Sequence, residues 1–484
     1  MNVNPITRLD YPDLDVIRVE DTYYMVSTTM HFMPGCEILQ SFDLVHWEHV
    51  TYVYETLDHT DAQQLKSGQN IYGQGMWAAS LRYHEGRFCI CFVANDTRKT
   101  YLYTSEKIDG PWKKQLIEGF YHDGSLLFDE DGRNYIVYGN DEIWITELNE
   151  DLTAPKKDGL HRLLVSDHKN PELGYEGSHI QKINGYYYIF LIHSLRDRWM
   201  RTEACFYSDS LEGEFTGGDV LCDDRGYCGQ GVAQGGIVDT PDGKWYAMLF
   251  QDSGAVGRIP ILLPVTWKDH FPFFGQNGHV PEEIEVHSTR PGYIYQPLVG
   301  SDDFCNGLLP RWQFNHDPDP RYYHLDALQG TYTITTREVC TELTQAVNTL
   351  TQRMSYPSCA AEVTVDASAL KEGDVAGLCA LQSCYAAVGI TKHHGKYEVL
   401  MLDKKEDGIL DMTEGTVVES HQMDFRLEAD FCNMKDEARC YYRVNKGDWL
   451  PIGTVHKLYF KLDHFTGCRF GLFCYAAEET GGSA

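Results

Sequence analysis

Three acidic residues of this 484-residue chain share one position in a recurring sequence unit, a short distance before a polar turn. The residues in that register are Asp13, Ala78, Asp123, Glu176 and Gln234. Paired carboxylates can hydrolyse glycosides, one as the acid and the other as base or nucleophile. A third carboxylate nearby raises the pKa of the acid by like-charge repulsion. The same side chains could instead supply part of a calcium shell. Converging acids therefore indicate a catalytic site or a metal site.

The ordinary explanation for acids near strand ends is that turns favour aspartate. It accounts well for Asp21, Asp131 and Asp242, which lie in the turns themselves. It accounts poorly for Glu176, because glutamate is depleted in strands and has no turn role. Small residues follow the acids, as in Gly177, and leave room for a ligand. We therefore favour a functional site.

The unit that carries these acids consists of a polar turn, aromatic residues and a short apolar strand. Its five copies are residues 20–26, 84–90, 131–137, 184–190 and 242–248. Asp-Gly or Asn-Gly between two apolar runs is a strong hairpin signal. The spacing of about 47–65 residues is typical of propeller blades with four strands each. The pattern predicts an all-β chain that begins with a five-bladed β-propeller. The starts of its inner strands would surround one end of a central channel.

Composition excludes several other classes of protein. The 41 Lys and Arg against 71 Asp and Glu give a net charge of −30, so no nucleic-acid partner is expected. The longest apolar stretch, 185–195, is too short to span a membrane. Residues 1–5 show no leader, which predicts a cytoplasmic protein. The 15 scattered cysteines are typical of buried free thiols rather than of disulfides or zinc. Oligomeric state stays open.

Several motifs resemble those of one enzyme family. The matching segments are Asn4-Pro5-Ile6, 11–18, 42–47, 121–126, 175–179, 257–259 and 264–267. Together they resemble glycoside hydrolase family 43, whose acid motifs read P-D-P, D-x-S-L-F and E-G-P-H. Segments 301–304 and 348–353 resemble the C-terminal β-sandwich of its xylosidase and arabinofuranosidase members. The resemblance covers nearly the whole chain.

The resemblance implies an inverting mechanism and a role for each acid. Asp13 would be the general base that activates water, and Glu176 would be the general acid. Asp123 would raise the pKa of Glu176 and hold it in place. Inversion requires a separation of about 6.5–9.5 Å between base and acid, to admit the water.

The resemblance also suggests where the sugar binds. Trp77 would be a wall on which the sugar stacks. Arg258 would orient a sugar hydroxyl or a carboxylate. Met30, His31 and Phe32 fall where the family places the wall of its −1 subsite.

Two departures from the family pattern affect these expectations. Family members often read W-A-P-D in the second blade, but residues 77–80 read Trp-Ala-Ala-Ser, so that acid is missing. Many members carry an axial histidine in the fifth blade, and Gln234 occupies that register here. We count Gln234 among the substrate-binding residues. No cofactor is expected to be required and no metal ligands are assigned, although an amide could hold a hydrated channel Ca²⁺ through water.

The loop-rich segment 271–297 contains several prolines and marks the end of the first domain. We predict a propeller over residues 1–298 and a β-sandwich over residues 299–484. In relatives this second module packs on the propeller and can lend a loop to the rim of the pocket.

The preferred function is an inverting exo-glycosidase that releases terminal xylose, arabinofuranose or both from xylan or arabinoxylan oligosaccharides. One alternative is a catalytically silent, carbohydrate-binding propeller. Its weakness is that a binding site does not need three buried like charges. The other is a retaining β-fructosidase, whose N-D-P-N-G and R-D-P motifs are absent from the corresponding places.

Overall fold

Strands dominate the computed structural model, which describes residues 2–413 and 415–484. The all-β prediction is confirmed. Helical geometry in this part of the chain is limited to short 3-10 turns at Lys66–Gly68, Gly254–Val256, Leu343–Gln345 and Cys432–Met434. Over the same residues, no helix has the length and apolar character needed to span a membrane. All fifteen cysteines are described, and each is a free thiol.

Five antiparallel sheets follow one another along the first 274 residues. The strands of the first sheet are Asp15–Val19, Thr22–Ser27, Gly35–Ser41 and Glu48–Tyr54. Those of the second are Met76–His84, Arg87–Ala94, Lys99–Ser105 and Lys113–Ile117. The third contains Ser125–Phe128, Asn134–Asn140, Glu142–Leu148 and His161–Ser166. The fourth contains Glu176–Ile183, Tyr186–Ser194, Arg201–Ser208 and Thr216–Leu221. The fifth contains Val232–Ala233, Ile237–Asp239, Trp245–Asp252, Arg258–Lys268 and Phe271–Phe274.

The hairpins that join the first two long strands of these sheets coincide with the five repeated turns of the sequence. Asn184 and Gly185 illustrate why the turn residues matter, since their φ angles are 51° and 86°. Two residues with positive φ form the tight turn that matches the twist of the flanking strands. The repeated sequence unit thus corresponds to one hairpin per sheet.

Apolar side chains alternate between the two faces of each sheet and pack against both neighbouring sheets. Tyr187 packs with residues of the third sheet, whereas Tyr188 packs with residues of the fifth. Similar cores lie between the first and second, the second and third, and the fifth and first sheets. The five sheets therefore form a closed circuit, because each one buries both faces.

A buried polar network joins the opening strands of the first four sheets. Asp15 of the first sheet accepts a hydrogen bond from Arg82 Nη1 at 2.7 Å and lies 3.2 Å from His179 Nδ1. Arg82 of the second sheet also donates to Ser125 Oγ of the third at 2.7 Å and to the Ile180 carbonyl of the fourth at 3.2 Å. Burial alone would raise the pKa of Asp15, but Arg82 and His179 lower it to about 2.

The rest of the chain forms two further sheets and a hairpin. The large C-terminal sheet contains Phe32–Met33, Gln313–Asn315, Leu350–Arg353, Arg469–Ala476, Asp374–Leu381, Ala386–His393, Lys396–Lys404, Leu410–Met412 and Thr416–Val418. The small C-terminal sheet contains Ser358–Asp366, Gln422–Asp430, Glu437–Arg443 and Leu450–Lys457. Tyr323–Asp326 pairs with Thr331–Ile334, and Asn2–Val3 pairs with Glu283–Ile284. An apolar core lies between the large and small sheets.

The two regions share a sheet and a set of buried ion pairs. Phe32–Met33 leaves the first region and pairs with Gln313–Asn315 in the large C-terminal sheet. Arg353 of that sheet lies 2.8 Å from the Glu37 carboxylate and 4.2 Å from the centre of the Tyr11 ring. The N-terminal sheets are therefore fixed against the C-terminal region by strand pairing and by charge.

We expect Arg82→Met to lower the free energy of unfolding by about 3 kcal/mol, because it leaves the buried Asp15 carboxylate without its cation. Urea unfolding followed by tryptophan fluorescence measures this change. Arg133→Met is the matched control, because Arg133 pairs with Asp131 in an exposed turn and such pairs contribute little. A midpoint for Arg82→Met equal to that of the wild type would contradict the role of the network.

Candidate active site

The register positions that carry the acids have an unusual backbone conformation. Asp13, Asp123 and Gln234 have φ angles of 51°, 47° and 60°, and Gly177, which follows Glu176, has 65°. Positive φ is uncommon for residues other than glycine, and it clusters at functional sites. Positive φ thus occurs at the register position in three of the five sheets and at the next residue in a fourth.

Glycine is required after Glu176 for steric reasons as well. A Cβ atom at Gly177 would lie 2.8 Å from Cδ of the Gln234 side chain. The register of the fourth sheet also shifts between Glu176 and His179, as it does between Trp77 and Ser80 in the second. Such bulges re-aim side chains. At these bulges, the side chains of Glu176 and Trp77 no longer follow the regular alternation between the two faces of their sheets.

Asp13 is buried and paired with a buried cation. Arg258 Nη1 donates to Asp13 Oδ1 at 2.7 Å, and the Arg258 guanidinium lies 4.4 Å from the centre of the Phe465 ring. Backbone N–H groups of Arg258 and Gly467 donate to the two oxygens of Asp10, at 2.7 and 2.8 Å. Asp10 thus ties the segment before Asp13 to both regions of the chain. The sequence-predicted Arg258 therefore contacts a carboxylate of the trio.

Asp123 is buried next to the fourth sheet. Its Oδ2 accepts a hydrogen bond from the Gly177 N–H at 3.0 Å. Burial and the charges of Glu176 and Asp13 together raise the pKa of Asp123 to about 6, and His122 acts in the opposite direction. A carboxyl oxygen of Asp123 lies within 4.8 Å of one of Glu176, so these two predicted acids meet, and the charge of Asp13 acts on the same place.

Glu176 is the most accessible of the three acids, with 22% of its side chain exposed. Asn140 Nδ2, at the end of a strand of the third sheet, donates to Glu176 Oε2 at 2.7 Å. A neutral amide holds the carboxyl group in place without adding a charge to it. Glu176 is therefore oriented toward solvent and supported from the neighbouring sheet.

His122 lies between the second and third acids. Its Nε2 is 3.6 Å from Asp123 Oδ2 and 3.7 Å from Glu176 Oε2. The negative charge of Asp123, with a smaller contribution from Glu176, raises the pKa of His122 to about 9 against the effect of burial. Ligand-type atoms of His122, Asp123 and Glu176 all lie within 4.8 Å of one another. The site thus brings an imidazole and two carboxyl groups close enough to exchange a proton.

Two aromatic side chains stand beside the acids. The ring centre of Trp77 lies 6.0 Å from that of His122 and 5.4 Å from that of Phe465. Phe465 belongs to the C-terminal region, so a segment of that region reaches the site. Trp77 and Phe465 are thus placed to form an aromatic wall.

Gln234 contributes to the site from the fifth sheet. Its backbone N–H donates to Glu203 Oε2 at 2.7 Å, and Glu203 is fully buried. Burial raises the pKa of Glu203 well above its ordinary value. Gln234 therefore lies beside Gly177, and its backbone is held by a buried carboxyl group.

Met30, His31 and Phe32 do not line an accessible wall. All three are fully buried. Their backbone leaves the first sheet here, because Phe32 pairs with Asn315 of the C-terminal region. The His31 ring is enclosed by aromatic neighbours, and burial lowers its pKa well below the ordinary value. Its neighbours are Phe32, Tyr72, His316 and His464. His31 and Phe32 belong to the contact between the two regions, whereas Met30 pairs with Met76 of the second sheet.

Sequence reasoning missed several residues that the structure adds to the site. They are His122, Asn140, Arg201 and Phe465. The guanidinium of Arg201 donates to Asp252 in the fifth sheet. Burial alone would lower the pKa of Arg201, and its partner Asp252 raises it instead. The guanidinium groups of Arg201 and Arg258 each lie 5.5 Å from the centre of the Phe250 ring, which places Arg201 near the site. His122 had a sequence signal, since it directly precedes Asp123, but the other three depend on contacts between sheets.

Comparison with known protein families gives two matches that together cover most of the chain. Residues 3–272 match Glycosyl hydrolases family 43, and residues 301–484 match the Beta xylosidase C-terminal Concanavalin A-like domain. The first match alone covers more than half of the chain, and it contains all three acids. The chain belongs to glycosyl hydrolases family 43 and is a glycoside hydrolase.

Individual relatives agree with this assignment. A beta-xylosidase of Formosa agariphila is 26% identical over 99% of this chain and 88% of its own length. A xylosidase/arabinosidase 43B of Humicola insolens is 27% identical over 79% of this chain and 74% of its own. A solved structure described as a bifunctional GH43-CE protein of Bacteroides eggerthii is 42% identical, with a TM-score of 0.93 over 100% of this chain. The present chain spans 62% of that protein.

We expect Glu203→Gln to be more stable than the wild type, by an amount that grows as pH rises. The unfolded chain releases the Glu203 proton above its ordinary pKa of 4.5, whereas the folded protein retains it. The wild type therefore loses stability with rising pH, by about 1.4 kcal/mol for each unit of pKa shift. Glutamine does not titrate.

Thermal unfolding of both proteins at about pH 5 and about pH 8 measures this difference. The exposed Glu212 supplies the matched control, and Glu212→Gln should show no such trend. A constant difference between Glu203→Gln and wild type across this range would show that Glu203 is not held protonated.

Proposed function

We propose that the five N-terminal sheets are the blades of a five-bladed β-propeller and that a β-sandwich domain follows residue 298. The closed circuit of sheets, each packed on both neighbours, supports the propeller. The large and small C-terminal sheets, with an apolar core between them, support the sandwich. The acids then lie where the opening strands of the blades begin, at one end of the channel.

The chain acts in this proposal as an inverting exo-glycosidase on xylose- and arabinofuranose-bearing oligosaccharides. The observation that carries it is the meeting of Asp13, Asp123 and Glu176 from three different sheets in one partly exposed site. Each acid has a different neighbour, which is how one type of group can fill different roles. No metal is required for this chemistry.

Asp13 is the general base. The Arg258 guanidinium lies 2.7 Å from Asp13 Oδ1 and holds this carboxylate in position. This guanidinium has three aromatic neighbours, Phe250, Phe460 and Phe465, which hold it in place. Water that approaches Asp13 is thereby activated to attack the anomeric carbon from the face opposite the leaving group.

Glu176 is the general acid that protonates the leaving oxygen. It is more exposed than Asp13 and Asp123, as a group that must meet a departing sugar should be. Its hydrogen-bond partner is the neutral Asn140, and a carboxyl oxygen of Asp123 lies within 4.8 Å of its own. The pair resembles other sites in which neighbouring carboxyl groups are driven to different protonation states.

The substrate class follows from the names of the relatives and from the shape of the site. The Formosa and Humicola relatives are named beta-xylosidase and xylosidase/arabinosidase. Trp77 offers a face on which a pentose can stack, and Phe465 closes the site from the C-terminal region. A wall built from both regions favours attack at chain ends. Xylose and arabinofuranose present similar hydroxyls, so one site can serve both.

Glu176→Ala should reduce kcat/KM on xylobiose by about 10²–10⁴-fold, because a sugar alkoxide leaves poorly without a proton. Aryl xylosides and arabinofuranosides should also lose activity. The loss should be smallest for a dinitrophenyl leaving group, which needs little acid assistance.

Initial rates on all three substrates, with circular dichroism to verify the fold, test this assignment. Glu212→Ala, at an exposed turn, is the matched control and should retain full activity. Equal losses on all leaving groups, or none, would rule out Glu176 as the acid.

Proton NMR of the first sugar released should show inverted anomeric configuration. The reason is that water activated by Asp13 attacks directly, without a covalent intermediate. The spectrum must be taken before mutarotation, on matched nitrophenyl xyloside and arabinofuranoside. Retention of configuration would instead make a carboxylate the nucleophile and would exclude the role given to Asp13.

A further inference from the structure

His122 stands out because it places a cation inside a site that is otherwise acidic. Its Nε2 lies 3.6 Å from Asp123 and 3.7 Å from Glu176, and 21% of the side chain is exposed. These distances are longer than direct hydrogen bonds but short enough for strong charge interaction. The imidazole therefore interacts with both members of the acid pair and is reached by solvent.

The groups that face His122 come from the four sheets around it. Asp123 follows it in the chain, Glu176 comes from the fourth sheet, and Asp13 acts on it from the first. Trp77 of the second sheet faces it without a charge. Negative charge therefore predominates around the imidazole, and this favours its protonated form.

A cation is needed at this place because Asp123 is buried. Burial favours the neutral form of a carboxyl group, and a neutral Asp123 would exert no charge on Glu176. The nearby cation favours ionised Asp123. The same cation also acts on the Glu176 carboxyl group, 3.7 Å away. Both effects act on the pH range in which the pair holds a single proton.

We propose that cationic His122 is a positioning residue that keeps Asp123 ionised beside Glu176 and sets the pH above which hydrolysis fails. This rests on the roles proposed above for the two acids. In the proposed mechanism, Asp123 and Glu176 share one proton, and Glu176 donates it to the leaving oxygen. His122 keeps that proton available for transfer to the leaving oxygen instead of letting the pair retain it too tightly.

His122→Gln removes the charge and keeps a polar side chain of similar reach. Without the cation, the acid pair should hold its last proton to higher pH. An opposite charge at this distance typically moves a carboxyl pKa by at least about one unit. The alkaline limb of kcat/KM should therefore move up by about one pH unit. His122→Lys restores a cation and should return the limb toward the wild-type position.

Profiles of kcat/KM against pH, on nitrophenyl xyloside and arabinofuranoside, test this for the wild type and both variants. His161→Gln is the matched control, because His161 stacks on Trp144 within the third sheet, and its profile should be unchanged. An alkaline limb of His122→Gln that coincides with that of the wild type would overturn the proposal. An alkaline limb that is displaced as far in His122→Lys as in His122→Gln would also overturn the proposal.

A second measurement decides the question without any substrate. In protein labelled with ¹³C at the histidine Cε1 position, the signal missing from His122→Gln identifies His122. This signal should titrate well above the ordinary histidine value of about 6.5, and Glu176→Gln should lower its midpoint. Titration at or below the ordinary value would overturn the proposal. If the wild type hydrolyses neither substrate, the proposed function fails, and the NMR titration still tests the charge of His122.

Discussion

The buried pairing of Asp15 with Arg82 is the interaction on which the placement of the site depends. The functional residue of each N-terminal sheet lies at, or just before, the start of the opening strand. A small shift of one sheet relative to another would therefore separate the acids. Arg82 prevents this, because one guanidinium reaches the first, third and fourth sheets from the second. A buried charge that lost these partners would be costly, and the sheets are therefore held in one arrangement. The contacts that join the opening strands are ionic, while the cores between the sheets are apolar.

The structure distinguishes the three carboxyl groups by giving each a different partner. Asp13 has a guanidinium, Asp123 has a backbone N–H, and Glu176 has an amide. The His122 imidazole lies between the last two, and exposure is greatest at Glu176. Roles that would be interchangeable for isolated acids thus become distinct through their surroundings.

Much of the first region could be predicted from the sequence, because the hairpin turns recur and fix a common register. That register alone brought Asp13, Asp123 and Glu176 to the same place. The contacts of Asn140, Arg201 and Phe465 depend on how neighbouring sheets and the C-terminal region meet, which a repeat within one sheet does not encode. Met30, His31 and Phe32 were expected to line the site, but the structure buries them. They follow a regular strand of the first sheet, but the chain leaves that sheet to join another, and no local pattern marks the exchange.

The strand Phe32–Met33 has a consequence for how such a chain can vary during evolution. Its partner Gln313–Asn315 lies beyond the proposed domain boundary, and Phe465 lies further still, beside Trp77. A recombination event near residue 298 would leave one half with an unpaired sheet edge and the other with an open pocket. Each part therefore depends on the other, one for a paired sheet edge and the other for a closed pocket.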